Sequence, residues 1–128
     1  MSSIIDGHTH IGVPMGHCLV EQGKWYGVDQ IIQSMDMLGI EKCLVTSTDR
    51  SATQSFRERN NLIYEDLKNG KGRLIGVIRT NANFGEDAVK EIDMRIRKQG
   101  WKAIKLHPMA QGFPIDHPMV IPIFEKAK

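Results

Sequence analysis

Short apolar runs alternate with longer amphipathic stretches along the whole chain. Four runs have β-type composition: "SIIDGHTH" (3–10), "KCLVTST" (42–48), "RLIGVIRTN" (73–81) and "WKAIKLHP" (101–108). Each is short and rich in Ile, Val or Leu, the pattern of strands covered on both faces. Between them lie segments of helical period. Val28, Ile31, Ile32, Met35 and Leu38 follow the i, i+3, i+4, i+7 spacing, and Gly39 is a natural stop. Phe56, Ile63 and Leu67 form a thinner stripe that ends at Gly70, and Ala88, Val89, Ile92 and Ile96 form a third that ends at Gly100. In that third helix Glu86 and Asp87 fall in the first turn and Arg95, Arg97 and Lys98 in the last, which complements the helix dipole. A fourth helix begins around "MVIPIFEKAK", with Asp116 as the expected N-cap and Pro118 and Pro122 obscuring its first residue.

The predicted order is β-α-β-α-β-α-β-α, which implies an α/β fold with parallel strands joined by right-handed crossovers. Two topologies fit: an open doubly wound sheet, or part of a (β/α)₈ barrel, which needs about 250 residues. The chain reaches Lys128 inside a helical run without a Gly or Pro stop. That ending favours a parallel (β/α)₄ half of a TIM-type barrel, with residues 1–128 as a single N-terminal segment cut within the fourth helix. The long Gly-rich stretch 12–27 follows the first strand and reads as an active-site lid or substrate loop.

The first strand carries the sharpest chemical signal. Side chains two apart on a strand share a face, so Asp6, His8 and His10 are expected to project together. Two adjacent imidazoles make half of a metal site, and a nearby carboxylate can orient a ligand ring. The plain alternative is a polar strand end that is hydrogen-bonded or solvated. On the fourth strand Ala103, Lys105 and His107 share one face and Ile104 and Leu106 the other. If Ile104 and Leu106 face the helices, Lys105 and His107 point into the barrel near its mouth, as candidate catalytic groups. The alternative is a Lys bonded to a neighbouring carboxylate and a His capping the next loop. A buried Lys is costly unless paired or neutralised.

Barrel sites form at the C-terminal ends of strands. This singles out Thr46, Ser47 and Thr48 after the second strand and Arg79, Thr80 and Asn81 after the third, with Arg79 a candidate for binding an anionic substrate group. An Arg paired with an acid reads equally well. Cys43 reads as a buried small hydrophobe, Cys18 as a weak ligand or thiol candidate, and His17 and His117 as ordinary loop residues. Met35 belongs to an apolar stripe and needs no cofactor.

Composition narrows the class. The chain has 128 residues, 41% hydrophobic and 25% charged, within the range of one globular domain. A net charge of +2 with interleaved acids and bases argues against nucleic acid or an anionic membrane as partner. No run approaches the ~18 apolar residues of a membrane span, and no signal region opens the chain, so a cytoplasmic location is expected. No GxGxxG, GxxxxGK[ST] or GxSxG string supports a nucleotide site or a Ser hydrolase.

Taken together, "IIDGHTHIG", "RLIGVIRTN" and "GWKAIKLHPMAQGFPIDHP" resemble the amidohydrolase superfamily, in its amidohydrolase-related, aminocarboxymuconate-semialdehyde decarboxylase-like branch. The resemblance covers essentially this whole chain but only the front half of the family's domain. It implies a (β/α)₈ barrel with a divalent metal, most often zinc, at the C-terminal mouth. The implied activity is a metal-dependent hydrolase acting on an amide, ester or ring carbon of a small molecule, with decarboxylation as the alternative. His8 and His10 match the family's first two metal ligands. Lys105 stands near the carboxylated bridging Lys of two-metal branches, a role usually missing from this branch and not assigned here. The family's further ligands come from later strands, so the chain alone is expected to be weakly active or inactive. Two other readings remain open: a non-catalytic half barrel that self-assembles through its open edges, and a metal-free lyase or isomerase using Lys105 and His107.

Overall fold

The computed structural model describes residues 3–14, 25–47 and 56–128. In chain order the elements are β1 (Ile4–His10), β2 (Val13–Pro14), β3 (Trp25–Tyr26), α1 (Val28–Leu38), β4 (Ile40–Thr46), α2 (Arg57–Asn69), β5 (Leu74–Arg79), α3 (Glu86–Gln99), β6 (Ala103–Lys105), α4 (Pro108–Gln111) and α5 (Ile121–Lys126). Short 3₁₀ turns span Ala82–Phe84 and Pro118–Val120. β1, β4, β5 and β6 form one parallel sheet in that order, curled into a (β/α)₄ half barrel with helices between the strands. β2 and β3 pair antiparallel, so the long stretch after β1 is clasped at both ends. The residues between them, including His17 and Cys18, lie outside the described residues, as does Thr48.

One face of the sheet is the helix side. Cys43 and Val45 of β4, Leu74 and Ile78 of β5, Ile31 and Met35 of α1, Ile63 of α2 and Ala88 and Ile92 of α3 belong to one buried cluster. The register pairs Cys43 with Leu74 and Val45 with Gly76. Side chains alternate along a strand, so Leu44, Thr46, Ile75, Val77 and Arg79 face the other way, into the barrel. Val77 pairs with Ala103 and Arg79 with Lys105, which extends the inner row to β6. Ile104 and Leu106 pack against the helix-side core, as the fourth-strand pattern predicts.

The helix stops fall where the glycines place them: Gly39 at φ 67° and Gly100 at φ 70° take the left-handed conformation that an L side chain resists. Elsewhere the pattern misleads. Phe56 is not part of the α2 stripe; it precedes the helix, buried, with its ring under the Arg79 guanidinium. Arg95 does not serve the α3 dipole at the surface; it is fully buried against Glu91 at 2.7 Å. The last helix is entered through a 3₁₀ turn capped by His117, whose Nδ1 accepts from the Met119 N–H, and not by Asp116. Pro118 suits that first-turn position because its missing N–H is not needed there. β1 also departs from the doubly covered pattern: it is an edge strand, with Ile4 and Ile5 exposed.

Behind β5 a polar network is buried between α2 and α3. Asn60, fully buried, donates from Nδ2 to the Arg79 carbonyl at 2.9 Å and accepts from the Arg79 N–H at 3.2 Å. Its neighbour Glu91 takes Arg95 and also the Arg57 Nε at 3.1 Å. Arg95 reaches the Asn61 side chain, the Arg57 carbonyl and Gln99 as well. The network ties two helices to the end of one strand, and its hydrogen bonds satisfy groups that burial would otherwise penalise.

Two outcomes test this packing. A Cβ on Gly76 would lie 2.6 Å from the Trp101 ring and 2.7 Å from Leu67, so Gly76→Ala should destabilise by about 1–3 kcal/mol through overpacking in urea unfolding followed by circular dichroism. Asn60→Ala strands two buried backbone groups of Arg79 and should cost roughly 1–3 kcal/mol in the same measurement. Asn60→Ala at wild-type stability would show that the clamp on β5 is unimportant.

Candidate metal centre

The candidate site grows from the C-terminal end of β1. The register pairs Asp6 with Cys43, then Thr9 with Val45, then His10 with Thr46. Three steps on β1 therefore match two steps on β4, which is a bulge at Gly7 and His8. The extra residue reverses the alternation. Asp6 and Thr9 fall on the helix side with Cys43 and Val45, whereas His10 falls on the inner side with Thr46.

This corrects the expectation that Asp6, His8 and His10 share a face. The Asp6 carboxylate is turned onto its own strand: it accepts from the His8 N–H at 2.9 Å and from the Thr9 hydroxyl at 2.7 Å. Those two bonds, the Thr9 hydroxyl foremost, hold its carboxyl below the ordinary Asp value. Asp6 thus stabilises the bulge. Cys43 beside it is buried, and desolvation pushes its thiol up, in keeping with an inert core residue.

The two imidazoles do come together. The His8 and His10 ring centroids are 4.7 Å apart, edge to face at 84°. His10 Nδ1 lies 3.1 Å from the Ser47 carbonyl oxygen. A carbonyl only accepts, so Nδ1 carries the proton and Nε2 keeps its lone pair for a ligand. Burial lowers the His10 pKa, the charges of His8 and Arg79 act in the same direction, and the Ser47 and Thr46 carbonyls oppose them. The outcome is an imidazole that stays neutral near pH 7, the form a metal needs.

The same Ser47 carbonyl accepts from Arg79 Nη1 at 3.1 Å. Arg79 is buried, with its guanidinium 5.0 Å above the Phe56 ring and its backbone clamped by Asn60. Lys105 stands directly across from it on β6, half-buried on the same inner face. Thr46, Ser47, Thr80 and Asn81 are all buried. The hydroxyls of Thr46, Ser47 and Thr80 have no hydrogen-bond partner among the described residues.

His107 holds a defined local job. It is the N-cap of α4, its Nδ1 accepting from the Ala110 N–H at 3.3 Å, and Pro108 follows at the first helical position. Gln111, at the other end of that turn, accepts from the His107 N–H and donates to the Thr80 carbonyl at 2.7 Å. Capping through Nδ1 leaves Nε2 as the N–H of the neutral ring. Asn60 and Gln111 are positioning residues that the sequence pattern did not disclose; only the His-Pro pair at 107–108 hinted at the cap.

The donor set fits a divalent metal as part of a shell. Two imidazoles at contact distance, one with its tautomer fixed by a carbonyl, are the kind of ligands Zn²⁺ and similar ions take. A protein-bound ion of this type needs about three protein ligands. Among the described residues no group of three or more His, Cys, Asp or Glu side chains is placed to hold one. Among the described residues, too, no helix is long and apolar enough to cross a membrane.

Comparison with known proteins follows the same line. Curated proteins gave no match. Among solved structures, 5-carboxyvanillate decarboxylase from Novosphingobium aromaticivorans, with bound manganese, superposes at TM-score 0.72 and 17% identity, over 97% of this chain and 47% of that one. A putative amidohydrolase from Staphylococcus aureus gives TM-score 0.75 at 16% identity, over 98% and 44%. A probable 2-pyrone-4,6-dicarboxylic acid hydrolase from Acinetobacter baumannii gives 0.65 at 13%, over 98% and 46%. These likenesses establish the shared fold, and the chain spans about half the length of each of those structures. The amidohydrolase family model matches residues 5–128, nearly the whole sequence, and the chain therefore belongs to the amidohydrolase family.

Proposed function

We propose that this chain supplies His8 and His10 as two ligands of a divalent-metal centre, in an enzyme that acts hydrolytically on a small molecule. The observation that carries the reading is the contact between the two imidazoles, with His10 Nδ1 engaged by the Ser47 carbonyl. When bound, such an ion polarises a carbonyl or carboxyl oxygen and makes water more acidic. The protein's own contribution is to hold the two rings together at the mouth of the half barrel. Further ligands belong to groups outside the described residues. Zinc and manganese both accept imidazole, and the manganese in the Novosphingobium decarboxylase makes that ion a suitable probe. Lys105 and His107 are proposed as mouth-lining catalytic groups, His107 presenting its Nε2–H toward substrate, with Arg79 binding an anionic group.

Decarboxylation is the second reading. It is favoured by the cross-strand pair of cations, Arg79 and Lys105, since a carboxylate must be bound before it can be lost. Self-assembly through the sheet edges is a third, supported by the exposed Ile4 and Ile5 on β1. The site is proposed to serve a soluble enzyme of the cytoplasm, without nucleic acid or membrane as partner.

Titrating the chain with Mn²⁺ while following electron paramagnetic resonance should give one weak site. His10→Ala and His8→Ala should each weaken it by at least the ~10–100-fold seen when an outer-shell partner is deleted. Equal affinity in wild type and both variants would end the proposal. Product analysis of the metal-loaded enzyme distinguishes carbon dioxide release from hydrolysis. In light scattering, edge pairing should appear as a discrete dimer, whereas a concentration-independent monomer removes that reading.

A further inference from the structure

Phe56 sits in a strained place that apolar packing does not explain. Immediately before α2 its backbone holds φ 61° and ψ 0°. In that left-handed conformation the Cβ of an L residue crowds a carbonyl oxygen, and for a bulky side chain it is an outlier. At such a position helices favour Ser, Thr, Asp or Asn in extended backbone, with a side-chain oxygen that accepts from a free N–H. A phenyl ring has no such oxygen. The ring is buried, yet it stands outside the apolar cluster that the described residues form. Its centre lies instead 5.0 Å from the guanidinium carbon of the buried Arg79. Backbone strain of this kind persists where the surroundings over-determine it, and it gathers at functional sites. One turn of α2 thus holds Arg79 at both ends. The Asn60 N–H donates to the Phe56 carbonyl at 2.9 Å, and the Asn60 side chain binds both backbone groups of Arg79. Phe56 meets the guanidinium, whose attraction to the ring face limits where its planar fork can lie. From there Nη1 reaches the Ser47 carbonyl at 3.1 Å, the oxygen that also takes His10 Nδ1 at 3.1 Å.

We propose that Phe56 is a positioning residue: its ring seats the Arg79 guanidinium so that Nη1 stays on the Ser47 carbonyl, and through that oxygen it steadies the His10 imidazole. Phe56 itself touches neither metal nor substrate. The left-handed backbone at residue 56 is the strain that this seat entails. Only the consequence for a bound ion rests on the metal-centre reading. The seat stands on Phe56, Arg79 and Ser47 alone.

The test is nuclear magnetic resonance of the arginine side-chain N–H groups, recorded on the chain without added metal and assigned through the backbone. A seated guanidinium rotates slowly, so the Nη protons of Arg79 should give separate signals in the wild type. Phe56→Tyr should keep them separate, and Phe56→Leu should merge them into an averaged signal. Leu also changes the packing, so the second replacement is pentafluorophenylalanine at position 56, which keeps the shape of the ring and withdraws electron density from its face. It too should merge the signals. Averaged Arg79 signals in the wild type, their merging in Phe56→Tyr, or separate signals with pentafluorophenylalanine would each overturn the seat. In the Mn²⁺ titration Phe56→Leu should bind about tenfold more weakly than Phe56→Tyr, the order expected when the support of a ligand ring is loosened. Equal affinity in those two variants would overturn the link to His10. A wild type that takes up no Mn²⁺ would end the metal-centre reading, and the arginine signals would still decide for or against the seat.

Discussion

A single backbone carbonyl links the two halves of the candidate site. The Ser47 oxygen accepts from His10 on β1 and from Arg79 on β5, so the strand between them holds an imidazole and a guanidinium in fixed relation. Its position just past the end of β4 is what makes this possible: there the chain has left the sheet ladder and the carbonyl is free of strand pairing. Orientation of the imidazole, choice of tautomer and placement of the cation all follow from that acceptor. A carbonyl serves better than a carboxylate in this place. It fixes the proton on Nδ1 without adding a charge that would have to be buried beside the Arg.

Precision at the mouth is underwritten on the far side of the sheet. Asn60 binds both backbone groups of Arg79, and Glu91 and Arg95 hold the helices that carry Asn60 and its neighbours in place. A buried ion pair such as Glu91–Arg95 contributes little net stability against an apolar replacement, because desolvation offsets its attraction. Its use here is geometric: it permits few alternative packings of α2 on α3. Gly76 does related work by letting the Trp101 ring lie directly against the β5 backbone.

Much of this was legible in the sequence, and the reasons differ by residue. Period two separated Lys105 from Ile104 and Leu106, because strands covered on both faces leave little freedom of phase, and Arg79 stood out by its place at a strand's C-terminal end. Gly39 and Gly100 marked helix ends through their backbone freedom. Asn60 and Glu91 went unread, and Arg95 reads as a dipole partner, because a polar residue on a helix is ordinarily solvated and Glu91 and Arg95 at i, i+4 look like a surface pair. Asp6 was misplaced for a different cause. Alternation holds only in an unbroken ladder, and nothing in "IIDGHTH" except Gly7 signalled that the ladder breaks.

That break gives the opening strand a double phase. At Ile5 and Asp6 the positions obey one alternation; after His8 they obey the reverse. An acid and an imidazole written four residues apart are thereby sorted to opposite sides of the wall, the one to brace the chain and the other to meet a ligand. The insertion acts as a molecular phase shifter, setting the tip of the strand one residue out of step with the part before it.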